Sequence, residues 1–192
     1  PRFNALSTTD FNEQLDYINN RYTVVDAEEV IHALRHQHSL PDNSCWLTFD
    51  DGYIDHYDSV VPALEQRGWQ GSFFVPVTVV TDRKLLDVNK IHLILSKASS
   101  PRDLLNEIDS RIYASEDPEF IQSYKTLCSP LANNSDSLVR RWSDSPEVVL
   151  IKRILQRVVP HFQRNALVNY LFKIYVSDDS HSVACGLYMS EP

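Results

Sequence analysis

Asp50 and Asp51 stand side by side in the run Leu47-Thr48-Phe49-Asp50-Asp51-Gly52-Tyr53. Strand-forming residues lead into the pair and a glycine follows it, which predicts a strand that ends in two carboxylates and turns at once. Side chains alternate faces along a strand, but the last residues before a turn share the mouth of the loop. Two carboxylates placed there repel, and both stay ionised when a cation or a hydrogen-bond donor sits between them. The chemistry on offer is a metal ligand beside a general base.

Other residues of chemical interest are more scattered. His32 and His36 are four apart, which sets both on one helix face. A zinc-protease helix would need glutamate directly after the first histidine, and Ala33 stands there, so the pair reads as an exposed polar face. His56 follows the aspartates closely, and either lines their pocket or packs beside Tyr57. His92 lies in the apolar run Ile91-His92-Leu93-Ile94 and reads as a core or interface histidine. His161 follows Pro160 with no specific signal.

The elements that must position the aspartates alternate in type from Pro1 to Asp82. Thr8 or Thr9 is expected to cap a helix with Phe11, Leu15 and Ile18 on one face. Tyr22 to Val25 reads as a short strand, and Asp26 as the cap of a helix running through Leu34. Cys45 to Phe49 is the strand that delivers the aspartates. Pro62 is expected in the first turn of the next helix, which Gly68 stops. A further strand covers Gly71 to Pro76. Three of the four glycines, Gly52, Gly68 and Gly71, fall in this unit and are expected to make its tight turns. Alternation of this kind predicts a parallel sheet with helical crossovers, an α/β class.

From Leu85 onward the periodicity is helical. Ser100-Pro101 starts a helix with a stripe of Leu104, Leu105, Ile108 and Ile112. Ser145-Pro146 starts another, with Val148, Ile151, Leu155 and Val158 inward, and Pro160 ends it. A third run carries Leu167, Val168, Leu171, Phe172 and Tyr175. Asn133 to Ser137 reads as a polar linker.

Composition narrows the function classes. The 192 residues are enough for a real core. The net charge of −8 argues against a nucleic-acid partner and leaves neutral carbohydrate open. No apolar run reaches membrane-spanning length, and no glycine-rich loop offers to cradle a phosphate. The three cysteines, Cys45, Cys128 and Cys185, make neither a disulfide framework nor a CxxC pair. They favour a reducing compartment such as the cytoplasm.

The run from Leu47 to Tyr53 resembles the first motif of the polysaccharide deacetylases, the NodB-homology carbohydrate esterases. The likeness continues through Tyr57, the helix Val60 to Gly68 and the strand Gly71-Ser72-Phe73-Phe74-Val75-Pro76, and extends upstream over Phe11 to Val25. It implies a deformed (β/α) barrel with its site at the C-terminal ends of the strands. Residues 1–82 would be the N-terminal part of that barrel and residues 83–187 a helical insertion that packs, covers the site or mediates assembly. Residues 188–192, with a Ser-Glu-Pro start signal, would begin a helix from which the barrel continues beyond Pro192. By the same resemblance Asp50 is the general base and Asp51 a ligand of a divalent metal, zinc first, with cobalt, nickel or manganese as alternatives. The implied reaction removes N-acetyl groups from an N-acetylated sugar or polysaccharide. Tyr53, Tyr57 and Trp69 are of a type to stack on sugar rings, and core packing explains them as well. Homo-oligomerisation would help cover the open sheet edges of such a part.

The chain departs from this family in lacking its His-Ser/Thr-x-x-His metal motif. The nearest string, His181-Ser182-Val183-Ala184-Cys185, has cysteine in the last place and follows the polar run Ser177 to Ser180. Cysteine and histidine both bind zinc, but this context reads as a solvated loop. The alternative function is a non-catalytic module that keeps the deacetylase fold and acts through its helical half.

Overall fold

A computed structural model describes residues 6–128 and 144–190. The expected linker at Asn133 to Ser137 lies outside them. Short parallel strands alternate with helices in the N-terminal part and helices alone follow, an α/β composition. The contacts divide the chain into two compact units, one drawn from Asn4–Leu85 and Ser180–Pro192, the other from Leu86–Asp179. No helix among the described residues is long and apolar enough to cross a membrane.

The first unit opens with helix α1, Thr8–Arg21. Its cap is Ser7 and not Thr8 or Thr9: Ser7 is the last extended residue, and its Oγ accepts the Asp10 N–H. The threonines are already inside the helix. Leu15 is buried, with Phe11 and Ile18 packed around it as the periodicity predicts. Strand β1, Thr23–Val25, leads to helix α2, Ala27–His36. Asp26 and Glu29 close a reciprocal capping box at its start.

The strand expected over Cys45 to Phe49 is divided at Leu47. Strand β2, Ser44–Trp46, pairs in parallel with β1, whereas β3, Thr48–Asp50, pairs in parallel with β4, Ser72–Phe74. The chain thus changes neighbour at Leu47, whose carbonyl accepts the Ser72 N–H at 3.0 Å. The described strands form two parallel pairs and do not close a barrel.

The next helix begins at residue 54, well before Pro62. Proline inside a helix cannot donate to the carbonyl four residues back, and its ring crowds that carbonyl. A π-helical turn over His56–Val60 answers both problems, with the Val61 N–H reaching His56 O. The α-helical part, α3, is Val61–Glu65. Gly68, at φ 67°, then turns the chain. Val60, Ala63 and Leu64 join Leu15 in the core, with Leu47, Phe49, Trp69 and Phe73 against them. Gly71 is fixed by this packing, because a Cβ there would stand 2.9 Å from both Leu64 Cδ1 and Phe49 Cε2. Helix α4, Val77–Thr81, follows β4.

The second unit holds α5 (Asp87–Lys97), α6 (Pro101–Tyr113), α7 (Pro118–Cys128), α8 (Pro146–Arg153) and α9 (His161–Tyr175). Ser100 and Ser145 cap α6 and α8 as the Ser-Pro signals predict. Leu104, Ile108 and Ile112 are buried, as are Val148, Ile151 and Leu155, and Leu167, Val168, Leu171 and Phe172. Lys90 is buried too, and Asn169 Oδ1 accepts from its Nζ at 2.7 Å with Asp87 Oδ1 at 3.7 Å. That pairing meets the requirement that a buried charge be satisfied.

Helix α10, Ser180–Leu187, groups with the first unit. Ala184 and Tyr188 are buried there, so the segment expected to be insertion through residue 187 is divided at Asp179. Because Leu15 anchors α1 to the core beneath β3, Leu15→Ala should cost about 2–5 kcal/mol. Urea unfolding should show this as a lower midpoint with an unchanged slope.

Candidate active site

The carboxylate pair is positioned by β3 and the turn that ends it. Asp50 is the last residue of β3, in register with Phe74, and its side chain is exposed. The ladder continues one bond further, with the Asp51 N–H donating to Phe74 O at 3.0 Å. The backbone then turns through two consecutive left-handed residues, Asp51 at φ 73° and Gly52 at φ 69°. Glycine adopts this region freely, and aspartate is among the few side-chain residues that tolerate it. At Gly52 there is also no room, since a Cβ would meet Val75 Cγ1 at 2.5 Å.

Two neighbours hold the turn from outside. Tyr53 Oη donates to Asp51 Oδ2 at 3.1 Å, which supplies a donor against the repulsion of the adjacent carboxylates. The Tyr53 ring stacks on Tyr188, with centres 5.8 Å apart and planes 25° apart. The two tyrosines also form an antiparallel bridge, the Met189 N–H donates to Gly52 O at 3.0 Å, and Arg83 Nη1 donates to Met189 O at 3.0 Å. Tyr188 and Met189 therefore form a strap across the aspartate loop. Glu191 and Pro192, the end of the expected Ser-Glu-Pro start signal, lie outside the described residues. Nothing local in the sequence signals the strap, because its partners are more than a hundred positions away.

His56 sits under the loop among Phe49, Tyr53 and Phe73, with ring centres 5.5–5.7 Å from its own. Tyr57 points outward at 67% exposure, so His56 is packed inward rather than laid beside it. His56 Nδ1 is buried with no hydrogen-bond partner among the described residues. Burial holds its pKa below the ordinary 6.5, against the upward pull of Asp55, Asp51 and Asp50. Trp69 packs against the core rather than standing open as a stacking platform.

The remaining candidates lie elsewhere. His32 and His36 are exposed on α2, as their spacing predicts. His181 and Cys185 are on helix α10 and not in a loop, with His181 Nδ1 3.7 Å from Cys185 Sγ and both side chains exposed. The helix forms because Ala184 is buried, with Val183 and Leu187 half-buried on its inner side. His92 is half-buried on α5.

Asp50 and Asp51 are the right kind of donor for a divalent cation but too few. A catalytic zinc takes three protein ligands, and among the described residues no group of three or more His, Cys, Asp or Glu side chains stands ready to hold a metal.

The burial of His56 has a consequence for stability. With a folded pKa below 6.5, the unfolded chain binds the proton more readily, so stability is full above about pH 6.5 and falls as pH drops toward the folded pKa. Urea unfolding of the wild type and of His56→Phe at pH 7.5 and pH 5 should show the variant losing less stability on acidification. Equal losses would contradict this account of the buried ring.

A family model described as polysaccharide deacetylase matches residues 37–110. The match spans β2, β3, the helix at 54–65, β4 and both aspartates, and continues into α6. No curated protein and no solved structure matches the chain.

Proposed function

We propose that the chain, whose residues 37–110 match the polysaccharide deacetylase family model, carries the first catalytic motif of an enzyme that hydrolyses the N-acetyl groups of an N-acetylated sugar or polysaccharide. The observation that carries this reading is the carboxylate pair at the end of β3, inside the matched segment, on a turn whose geometry tolerates few other residues.

Asp50 acts as general base. Its exposed carboxylate takes a proton from the attacking water as the oxygen adds to the acetamide carbonyl. Collapse of the tetrahedral adduct breaks the C–N bond, releasing acetate and the free amine once a proton reaches the leaving nitrogen. Asp51 is the metal ligand. Tyr53 fixes one of its carboxylate oxygens and so orients the other. A divalent cation, zinc or one of cobalt, nickel and manganese, would supply acidification of the water and polarisation of the carbonyl. The described residues contribute only part of its ligand set. The parallel pairs β1–β2 and β3–β4 are read as part of a (β/α) barrel wall, with the aspartates at the C-terminal strand ends where such barrels place their sites.

The test is acetate release from an N-acetylated oligosaccharide with zinc present, by the wild type and by Asp50→Asn. Loss of at least about 100-fold in rate is expected for the variant, the scale of a removed general base. Retained activity in Asp50→Asn would end the assignment. A folded wild type that binds the oligosaccharide without releasing acetate would favour the non-catalytic module.

A further inference from the structure

A segment that takes no part in the proposed proton transfers grips the aspartate loop. Tyr53 Oη donates to Asp51 Oδ2 at 3.1 Å, and Tyr53 is only half-buried. Two other rings limit how its phenol can turn. Tyr188 lies against its face, with centres 5.8 Å and planes 25° apart. His56 stands edge-on to it, with centres 5.5 Å and planes 89° apart. Tyr188 is itself held: it is buried, and its N–H donates at 3.0 Å to the carbonyl of Ala184, a buried residue of α10. The backbone beside it is fixed twice more, by the Met189 N–H on Gly52 O and by Arg83 Nη1 on Met189 O, each at 3.0 Å.

We infer that Tyr188 is a positioning residue for Asp51, acting through Tyr53. The inference rests on the reading of Asp50 and Asp51 as the reacting pair. The left-handed backbone of Asp51, at φ 73°, sets the path of the chain but not the rotation of the carboxylate about Cβ–Cγ. The Tyr53 hydroxyl supplies that restraint by holding one carboxylate oxygen. The face of Tyr188 keeps the phenol from swinging away and so makes the restraint rigid. Aromatic rings favour an offset stack with centres about 4.5–7 Å apart, and the observed pair falls in that range. Orientation of this kind bears on rate, because reacting groups work only within a narrow range of distance and angle.

Burial alone does not account for the arrangement. An aliphatic side chain at position 188 would also be taken out of water beside Ala184, but it would offer no flat face to the Tyr53 ring. The backbone bonds do not account for it either. The Met189 N–H holds Gly52 O whatever side chain stands at position 188, and that bond fixes the path of the loop without touching the Tyr53 ring. The stacked pair is the link from α10 to the carboxylate. Ala184 holds Tyr188 by a backbone bond, Tyr188 holds Tyr53 by ring contact, and Tyr53 holds Asp51 by a hydrogen bond.

The experiment reads the Asp51 carboxyl carbon by carbon-13 NMR in the full chain labelled at aspartate, the resonance being identified by its absence from Asp51→Asn. Tyr53→Phe removes the hydroxyl and should move that resonance, which gives the signature of the lost bond. Tyr188→Leu and Tyr188→Met, each checked for folding by circular dichroism, should move it in the same direction. Tyr188→Phe keeps the ring and should leave it in place. In Tyr188→Leu the kcat for acetate release should fall by up to about 100-fold with KM unchanged, the cost of a misplaced group. A resonance unmoved by Tyr53→Phe would overturn the inference at its first step. So would a resonance unmoved in a folded Tyr188→Leu or Tyr188→Met, or one moved as far in Tyr188→Phe. Because the NMR readout needs no turnover, a wild type that releases no acetate would end the deacetylase reading and leave this test standing. An unmoved resonance, in turn, leaves the role of Asp50 untouched.

Discussion

The structure around the aspartates depends on a backbone constraint: the chain leaves β3 through two left-handed residues in a row. Holding a residue with a side chain there costs on the order of 1–3 kcal/mol, and such a conformation persists only where its surroundings over-determine it. Here they do. The Asp51 N–H is tied to Phe74, its carboxylate to Tyr53, and the Gly52 carbonyl to Met189. Val75 occupies the space that a side chain at position 52 would need. The result is that Asp50 and Asp51, adjacent in sequence, leave the strand on a fixed path instead of a flexible loop.

That turn draws on much of the first unit. β4 supplies the bond to Asp51 and the side chain against Gly52. β4 in turn is held by Phe73, which stacks on Phe49 with planes 19° apart, and by Gly71, which lets the chain pass close to Leu64. The π-helical turn before Pro62 brings His56 under Phe49 and Tyr53. A proline that looks like a start signal is therefore absorbed within a helix, and the distortion it causes places an aromatic-lined histidine below the carboxylates. From the other end of the sequence, α10 delivers Tyr188 and Met189 to the outside of the same loop.

Much of this was legible in the residues, for reasons that can be named. The stripes at Leu104–Ile112 and Val148–Leu155, the Asp26 cap and the Ser-Pro helix starts are local signals, and local physics decided them. The carboxylate pair was legible because a strand, a glycine and a helix pattern surround it within a few residues. What escaped was long-range. Leu47 divides one strand into two because β1 and β4 compete for its two sides. The strap at Tyr188 forms because Tyr53 offers a ring and a backbone edge. The helix under His181 and Cys185 was hidden because its apolar face is only Val183, Ala184 and Leu187.

The central claim is that the left-handed turn after β3 fixes the path on which Asp50 and Asp51 leave the strand. The most direct measurement is urea unfolding of Gly52→Ala beside the wild type, because a Cβ at position 52 would meet Val75 Cγ1 at 2.5 Å on a backbone held at φ 69°. The account predicts a loss of about 1–3 kcal/mol in the variant. Unchanged stability would contradict it.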